Sequence, residues 1–365
     1  MKQAAGHRLL LLAAGLLVLS ACTLRRHPLD TPLLSDSQQP DKELFGRAAD
    51  FLEHSRFMEA RLLLQTLINT YPDSEYLAKA KLAIADSWYR QGASSDLLQA
   101  EAEYRDFITF FPTMPEAAEA QMRVAMIHYR EMEKADRDPT HARRAEQEFQ
   151  RLLLTYPNGP FAPLAEQRLR EVQEVLAHGA FEVGRFYFLN LADRAAQPRF
   201  KELVDRYPNY SQADTALSML ARSLERNGPE GSSAEAIQYY SRIVRDYPLS
   251  EHMEEARERL QALEAPVPQA DPGAVARMTY EKTHVGTVGF WGKMMGGFHR
   301  RPNIAAAQGK LGPPTMTAQG AAQAGALPAA SSGSTQPSST SGSPPAIVME
   351  TVPPPNTPGG SSSAP

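Results

Sequence analysis

The 365-residue sequence contains one cysteine, Cys22, and two tryptophans. A single cysteine excludes a metal site built from several thiolates, and the nine histidines form no HExxH pair or other set with ligand spacing. The sequence also lacks a P-loop and a GxSxG nucleophile motif, and Gly286, Gly289 and Gly292 do not have the spacing of a dinucleotide-binding fingerprint. We therefore expect no metal, no cofactor other than a covalent lipid, and no enzymatic activity.

An excess of positive charge is also missing. Residues 22–264 hold 30 basic and 39 acidic side chains. Proteins that bind the phosphate backbone of nucleic acids carry a basic surface, so this balance argues against general nucleic-acid binding. The carboxylates lie on amphipathic helical patterns, where a glutamate normally belongs to the solvated face.

The apolar run at the N-terminus, from Leu9 to Leu19, is too short for a membrane-spanning helix. It follows Lys2 and Arg8 and precedes small residues, an arrangement typical of a secretory signal peptide. The signal ends in Leu-Ser-Ala-Cys, the pattern of a bacterial lipobox, which predicts removal of residues 1–21 and lipidation of Cys22.

A signal peptide cleaved elsewhere is the alternative, and it would leave Cys22 as a free thiol. Several acyl chains on one residue hold a protein firmly at a membrane. The residue after the cysteine is Thr23 and not an aspartate, which predicts transfer of the lipoprotein to the outer membrane.

An aromatic-proline pair recurs five times, with spacings between the prolines of 40, 45, 51 and 40 residues. The pairs are Tyr71-Pro72, Phe111-Pro112, Tyr156-Pro157, Tyr207-Pro208 and Tyr247-Pro248. An alanine stands twelve residues before each proline and another eight residues after it. Large apolar residues occupy the positions eight and five before each proline and twelve after it. Spacings of three and four place these positions on one face of a helix.

Each unit is therefore predicted to be a helix that ends at the aromatic-proline pair, followed by another helix, because proline cannot continue a helix. A fixed period of this length indicates an all-α fold of the α-solenoid type. The pattern resembles the tetratricopeptide repeat (TPR), whose second helix has a small residue, a large one four later and a proline eight after that. We expect five TPR-like helix-turn-helix repeats and a closing helix in residues 41–264.

The two flanking regions differ from the repeats in composition. Residues 22–40 contain three prolines and little periodicity, which predicts a flexible leash. Residues 265–365 hold 15 of the 29 prolines among Ser, Gly, Ala and Thr, so a disordered tail is expected. Within it, residues 289–301 place aromatic, methionine and basic side chains together. This composition suits a sticky disordered segment, a segment that folds back over the last helix of the repeats, or a short linear motif that docks on a partner or a membrane surface.

A close resemblance to the BamD family of outer-membrane-assembly lipoproteins is carried by residues 136–169, DRDPTHARRAEQEFQRLLLTYPNGPFAPLAEQRL. The family has an R-D-P-x-x-A-R-x-A-x-x-x-F run before its third aromatic-proline turn. In this run Asp138 suits a helix N-cap and Pro139 the first helical position. The likeness continues in FEVGRFY (181–187), PRFKELVDRYP (198–208) and DTALSMLARSLERNG (214–228). The long tail departs from the family pattern.

The resemblance implies a non-enzymatic scaffold of the β-barrel assembly (Bam) complex, lipid-anchored on the periplasmic face of the outer membrane. The partners it implies are the POTRA region of the central barrel protein, other Bam lipoproteins and unfolded outer-membrane proteins. It also implies two contact residues: Arg199 toward POTRA or substrate, and Tyr71 on an N-terminal substrate surface. Their simpler interpretations are a solvated helix arginine and a packing residue.

A rule based on the repeats, that positions four, seven and fourteen after the proline line the concave face, adds further candidates. These are Tyr76, Lys79 and Asp86 in the second repeat and Arg222 in the fifth. Two other functions stay open at this stage. A different TPR lipoprotein, for instance one that coordinates cell-wall synthesis, would share the lipobox and repeats but not residues 136–169. A solenoid lyase would need a converging set of Glu, Tyr and Arg in its groove.

Overall fold

The structure is a computed structural model that describes residues 39–227, 232–284, 302, 304–310 and 312–316. Cys22 and residues 289–301 lie outside these ranges. The described residues belong to one compact unit. They form twelve α-helices and a short 3-10 turn at Ala305–Ala307, and none of them lies in a strand. The helices are α1 (Pro40–Glu53), α2 (Phe57–Thr70), α3 (Leu77–Gln91), α4 (Ser94–Phe110), α5 (Glu116–Glu131), α6 (Thr140–Thr155), α7 (Ala162–Leu189), α8 (Asp193–Arg206), α9 (Ala213–Asn227), α10 (Ser232–Asp246), α11 (Met253–Ala262) and α12 (Pro272–His284).

The helices pack in sequence, each against the next, from α1 to α11. Each even-numbered helix from α2 to α10 ends one residue before the aromatic member of an aromatic-proline pair. The chain therefore forms five helical hairpins, α1–α2 to α9–α10, followed by α11 as the closing helix. The predicted all-α repeat fold is confirmed.

The recurring positions of the sequence pattern form the core. All ten alanines of the pattern are at most 1% exposed. The large residue eight before each proline is also fully buried, as Leu64, Tyr104, Phe149, Phe200 and Tyr240 show. Among the alanine and large apolar positions of the pattern, the least buried is Ile84, at 6%. The alanines let neighbouring helix backbones approach closely, and the large residues fill the space between successive hairpins.

The aromatic-proline pairs end their helices in the same way each time. Tyr71 has φ −127° and ψ 66°, outside the α region, because the following proline disfavours helical geometry for the residue before it. Its N–H still donates to Leu67 O at 2.8 Å and closes the last turn of α2. The N–H of Ser74 then donates to Tyr71 O at 3.1 Å and reverses the chain direction. The equivalent bonds recur at the other four pairs.

Two spacings exceed 40 residues, and each has a structural cause. The spacing of 45 residues contains an eight-residue connection between α5 and α6. The corresponding connection between α3 and α4 has only two residues. The spacing of 51 contains α7, which has 28 residues, whereas the other helices from α1 to α10 have 14 to 17. Both insertions fall in the third and fourth repeats.

Two stretches of the region for which the composition predicts disorder have defined structure. Helix α12 lies against the fifth aromatic-proline turn, where Arg277 Nη2 donates to Asp246 O at 2.9 Å. Residues 304–310 and 312–316 pack against α6 and α7. The average composition of the tail does not apply to the first stretch, because residues 272–284 contain a single proline and three charged side chains.

Candidate partner-binding groove

A groove of about 640 Å³ opens on the third and fourth repeats. Its walls are the α5–α6 connection, the start of α6, the second half of α7, and α8. The two insertions that lengthen the repeat spacing thus supply two of its walls. The three segments with the strongest family resemblance also meet here, in Asp136, Phe186 and Arg199.

The floor of the groove is apolar. Val175 and Leu203 are buried beneath it, and Leu176 is partly buried beside them. Two apolar side chains at its edge are exposed, Val183 at 46% and Phe186 at 63%. A large exposed aromatic beside an apolar floor with a polar rim is typical of a surface that binds another protein.

The rim of the groove carries both signs of charge. The basic residues are Lys134, Arg137, Arg143, Arg199 and Arg206, and the acidic residues are Glu133, Asp136, Glu182 and Glu202. Arg199 is exposed on α8 and makes no ion pair with any residue that the structure describes. Its guanidinium is therefore available to a carboxylate of a partner.

Two glycines of α7 explain how the walls come together. A Cβ on Gly179 would lie 2.7 Å from Ala135 O, so only glycine lets the α5–α6 connection cross the helix this closely. A Cβ on Gly184 would lie 2.7 Å from Cε1 of Phe200, the buried core residue of α8. The glycine of the FEVGRFY segment therefore has a packing role. It lets α7 and α8 approach each other.

The start of α6 agrees with the sequence interpretation apart from one residue. The helix begins at Thr140 and not at Pro139. Asp138 Oδ1 accepts the backbone N–H of Thr140 at 2.9 Å and its hydroxyl at 2.7 Å. This carboxylate satisfies a free donor at the helix start, as expected of an N-cap. The first residue of a helix commonly differs by one position between a definition from hydrogen bonds and one from capping geometry.

A Glu, Tyr and Arg set does converge beside the groove, at Glu146, Arg206 and Tyr207. Glu146 Oε2 accepts from Arg206 Nη2 at 3.1 Å, and Oε1 accepts from Gln173 Nε2 at 3.3 Å. Burial raises the pKa of Glu146 in spite of the charge of Arg206. The carboxylate is 2% exposed and its oxygens are engaged by protein donors, so it joins α6, α7 and α8 and does not face a substrate.

The predicted residues of the first two repeats fall into two groups. Tyr71 is partly buried and packs against the core around Leu44, in agreement with its packing interpretation. Tyr76 stacks on Phe45 of α1 with ring centroids 5.3 Å apart, and Lys79 Nζ lies 5.7 Å from the Tyr76 ring. The structure thus brings Tyr76 and the exposed Lys79 together on one surface.

Asp86 makes a contact within the second repeat, and Arg222 makes one between the fifth repeat and the closing helix. The hydroxyl of Tyr104 donates to Asp86 Oδ1, and burial raises the pKa of this carboxyl although the hydrogen bond and Arg123 act in the opposite direction. Arg222, on α9, is exposed and forms an ion pair with Glu255 of α11. Neither residue lies near the groove.

Sequence reasoning missed the α5–α6 connection and Phe186 as parts of the site. The unequal repeat spacings indicate where such a surface lies. Residues inserted into one repeat have no equivalent in the core that the repeats share, so they form additional surface. Among the described residues no group of His, Cys, Asp or Glu is arranged to hold a metal ion. None of the helices described is both long enough and apolar enough to cross a membrane.

Together the five hairpins define an all-α helical-repeat protein of the TPR type, with an apolar groove on its third and fourth repeats. Comparison with known proteins agrees with this class. Residues 37–235, more than half of the chain, match the family YfiO, described as an outer membrane lipoprotein. The chain belongs to this family.

Its relatives are named Outer membrane protein assembly factor BamD. The protein of Neisseria gonorrhoeae is 25% identical over 211 residues, which cover 56% of this chain and 79% of the relative. The Vibrio cholerae protein is 26% identical over 199 residues, covering 52% and 81%. The Xylella fastidiosa protein is 22% identical over 259 residues, covering 66% and 83%. The predicted family is confirmed, and membership supports the expectation that the chain is not an enzyme.

Proposed function

We propose that this protein is a non-enzymatic scaffold of the β-barrel assembly complex, attached by lipid on Cys22 to the periplasmic face of the outer membrane. Its groove on the third and fourth repeats binds the POTRA region of the central barrel protein. Other lipoproteins of the complex and unfolded outer-membrane proteins are further partners. A scaffold needs fixed surfaces for its partners and no reactive group. The described residues provide such surfaces.

The groove is the observation that carries this proposal. It combines a buried apolar floor, the exposed Phe186, and the exposed Arg199 on a rim of mixed charge. A folded partner domain can place an apolar side chain on the floor and a carboxylate against Arg199. Interfaces of this kind depend on a few aromatic and arginine anchors within a larger neutral area.

The surface at the second repeat is proposed to receive unfolded substrate. Tyr76 and Lys79 present an aromatic face and a cation side by side, with Tyr71 supporting them from the core. Such a pair can contact the alternating apolar and polar side chains of an extended β-strand segment. Asp86 and Arg222 support the repeat contacts on which these surfaces depend.

The proposal is tested by mild-detergent pulldown of the tagged full-length protein from the cells that express it, followed by mass spectrometry. A POTRA-containing barrel protein is expected among the recovered partners. Arg199→Glu should reduce its recovery several-fold, because a reversed charge repels the partner carboxylate. Arg194→Glu is the matched control. It makes the same charge change on an exposed arginine of α8 that does not line the groove.

Equal recovery with wild type and Arg199→Glu, or equal losses with both variants, would contradict the proposed interface. Recovery of cell-wall enzymes in place of a barrel protein would favour the alternative of a TPR lipoprotein that coordinates envelope synthesis.

The lipid anchor has a separate test. Cys22→Ser should move the protein from the membrane fraction into the soluble periplasmic fraction, since the described helices include no membrane-spanning candidate. Unchanged membrane retention would show that a partner or the tail is sufficient for attachment.

A further inference from the structure

A short segment of the C-terminal region lies across the third and fourth repeats, beside the groove. It comprises residues 304–310 and 312–316, and we call it the docked segment. Its N-terminal end packs Ile304 against the core of the third repeat, and Ala307 is 3% exposed. Pro314, near its other end, is also buried. The surface beneath it is formed by α6, α7 and the turn between α8 and α9.

The repeats contact the docked segment mainly through its main chain. Gln173 makes two bonds to Thr315: its Nε2 donates to the carbonyl at 2.6 Å, and its Oε1 accepts the N–H at 3.1 Å. Gln150 Nε2 donates to the same carbonyl at 3.0 Å. Two further side chains donate to carbonyls, Arg170 to Gly312 at 3.1 Å and Asn209 to Pro313 at 2.9 Å.

The two glutamines that bond to Thr315 are buried beneath the docked segment. Gln150 is 0% and Gln173 is 7% exposed, although both are polar. The amide of Gln173 is also fixed by Glu146, which is in turn bonded to Arg206. Because Glu146 already holds the amide of Gln173, this side chain loses less conformational entropy when it binds a peptide group.

The second part of the docked segment, residues 312–316, has the features of a good extended ligand, whereas the first part contains the 3-10 turn. Pro313 and Pro314 restrict the chain to extended conformations and lower the entropy cost of binding. Gly312 has φ +112°, a conformation that other residues rarely adopt. The half-buried Lys310 donates from Nζ to Asn209 O at 2.6 Å, and burial lowers the pKa of its ammonium group.

We infer that these repeats contain a second binding site, distinct from the groove, that recognises an extended proline-containing peptide through its backbone. The chain's own docked segment is its resident occupant. An extended segment of another protein that offers a similar Gly-Pro-Pro-Thr backbone competes for the same glutamines. The inference concerns a different surface from the POTRA contact and does not rest on it.

A resident segment makes a clear quantitative prediction about binding in trans. A tethered ligand competes at a high effective concentration, and the apparent affinity for a free peptide falls in proportion to the open fraction of the protein. If about nine tenths of the molecules are occupied by their own segment, freeing the site should tighten binding of a free peptide about tenfold.

The test uses a fluorescein-labelled peptide of residues 304–316 and the full-length chain, with binding measured by fluorescence anisotropy. Gly312→Val together with Thr315→Pro should release the resident segment. The first change puts a β-branched residue at a positive φ, and the second removes the N–H that Gln173 accepts. This double variant should bind the peptide at least about tenfold more tightly than wild type.

Four controls keep the result specific. Gln308→Ala changes an exposed side chain of the docked segment and should bind like wild type. When it is added to the double variant, Gln173→Ala should abolish the tighter binding of the peptide. Gln167→Ala changes an exposed glutamine of the same helix and should leave the tighter binding intact. A labelled peptide N-methylated at the Thr315 amide should bind more weakly, because a methyl group replaces the hydrogen that this amide donates to Gln173.

Equal binding by wild type and the double variant would overturn the inference, and so would a gain that survives Gln173→Ala. Hydrogen–deuterium exchange of the wild-type chain gives a second readout that needs no released variant. The peptide fragment covering residues 312–316 should be protected, and Gln173→Ala should remove most of the protection. Full exchange of this fragment in the wild type would equally refute a resident segment.

Discussion

The packing role of Gly184 leads to a prediction that separates a close helix contact from helix propensity. Replacing Gly184 by alanine adds a methyl group that lies 2.7, 2.9 and 3.1 Å from three ring carbons of Phe200. Phe200 is 0% exposed, so its ring has no free space into which it can move. The substitution therefore forces α7 and α8 apart or pushes the ring out of its preferred rotamer.

Two opposing effects set the magnitude. Alanine is favoured over glycine in a helix interior by about 1 kcal/mol. Over-packing a close-packed core costs about 1–3 kcal/mol. The net change for Gly184→Ala is therefore a loss of up to about 2 kcal/mol. Gly46→Ala in α1 is the matched control, because a Cβ at this position meets no atom within 4 Å. It should gain about 1 kcal/mol.

The measurement is urea unfolding of wild type and both variants, followed by helical circular dichroism. The two substitutions are chemically identical, so the difference between their free energies of unfolding, about 1–3 kcal/mol, isolates the steric cost at Phe200. Repeat proteins can unfold in stages, and the transitions should therefore be compared in shape as well as in midpoint. If Gly184→Ala stabilised the protein as much as Gly46→Ala, the close-contact argument would be wrong.

Two further predictions concern the fold. Leu191 follows α7 with φ 59°, a left-handed conformation, and is 67% exposed. Leu191→Gly should therefore raise the free energy of unfolding by about 0.5–1 kcal/mol, because glycine adopts this conformation without strain. A lower urea midpoint for the variant would contradict this. Glu101 has its pKa lowered from 4.5 to about 2, chiefly by His128, whose Nε2 lies 3.3 Å from Glu101 Oε1, so its contribution to stability is complete above pH 4.5 and is lost as the pH falls toward 2. The stability advantage of wild type over Glu101→Gln should therefore shrink between pH 6 and pH 3, and a constant difference in urea midpoints would disprove this.

Much of the candidate site was accessible from the sequence, but in separate pieces. Arg199 was named from the family resemblance, and its exposure on the rim of the groove fits that assignment without testing it. Phe186 belongs to a segment quoted for its likeness and was not recognised as a contact residue. Gln150 and Gln173 carry no sequence signal, because a glutamine on a helix is normally a solvated residue. Only the return of residues 312–316 gives these amides a common partner.

The sequence alone determined the repeat fold, since the core of a solenoid is local. Each buried position contacts residues within one or two helices along the chain, and therefore the spacing of alanines, large apolar residues and aromatic-proline pairs is a sufficient description of the packing. The tertiary structure decided the surfaces. The groove requires the α5–α6 connection, α7 and α8 to meet, and the docked segment joins Thr315 to Gln173 across 142 positions of sequence. Contacts over such distances depend on how successive hairpins stack in space, and no periodic pattern records that.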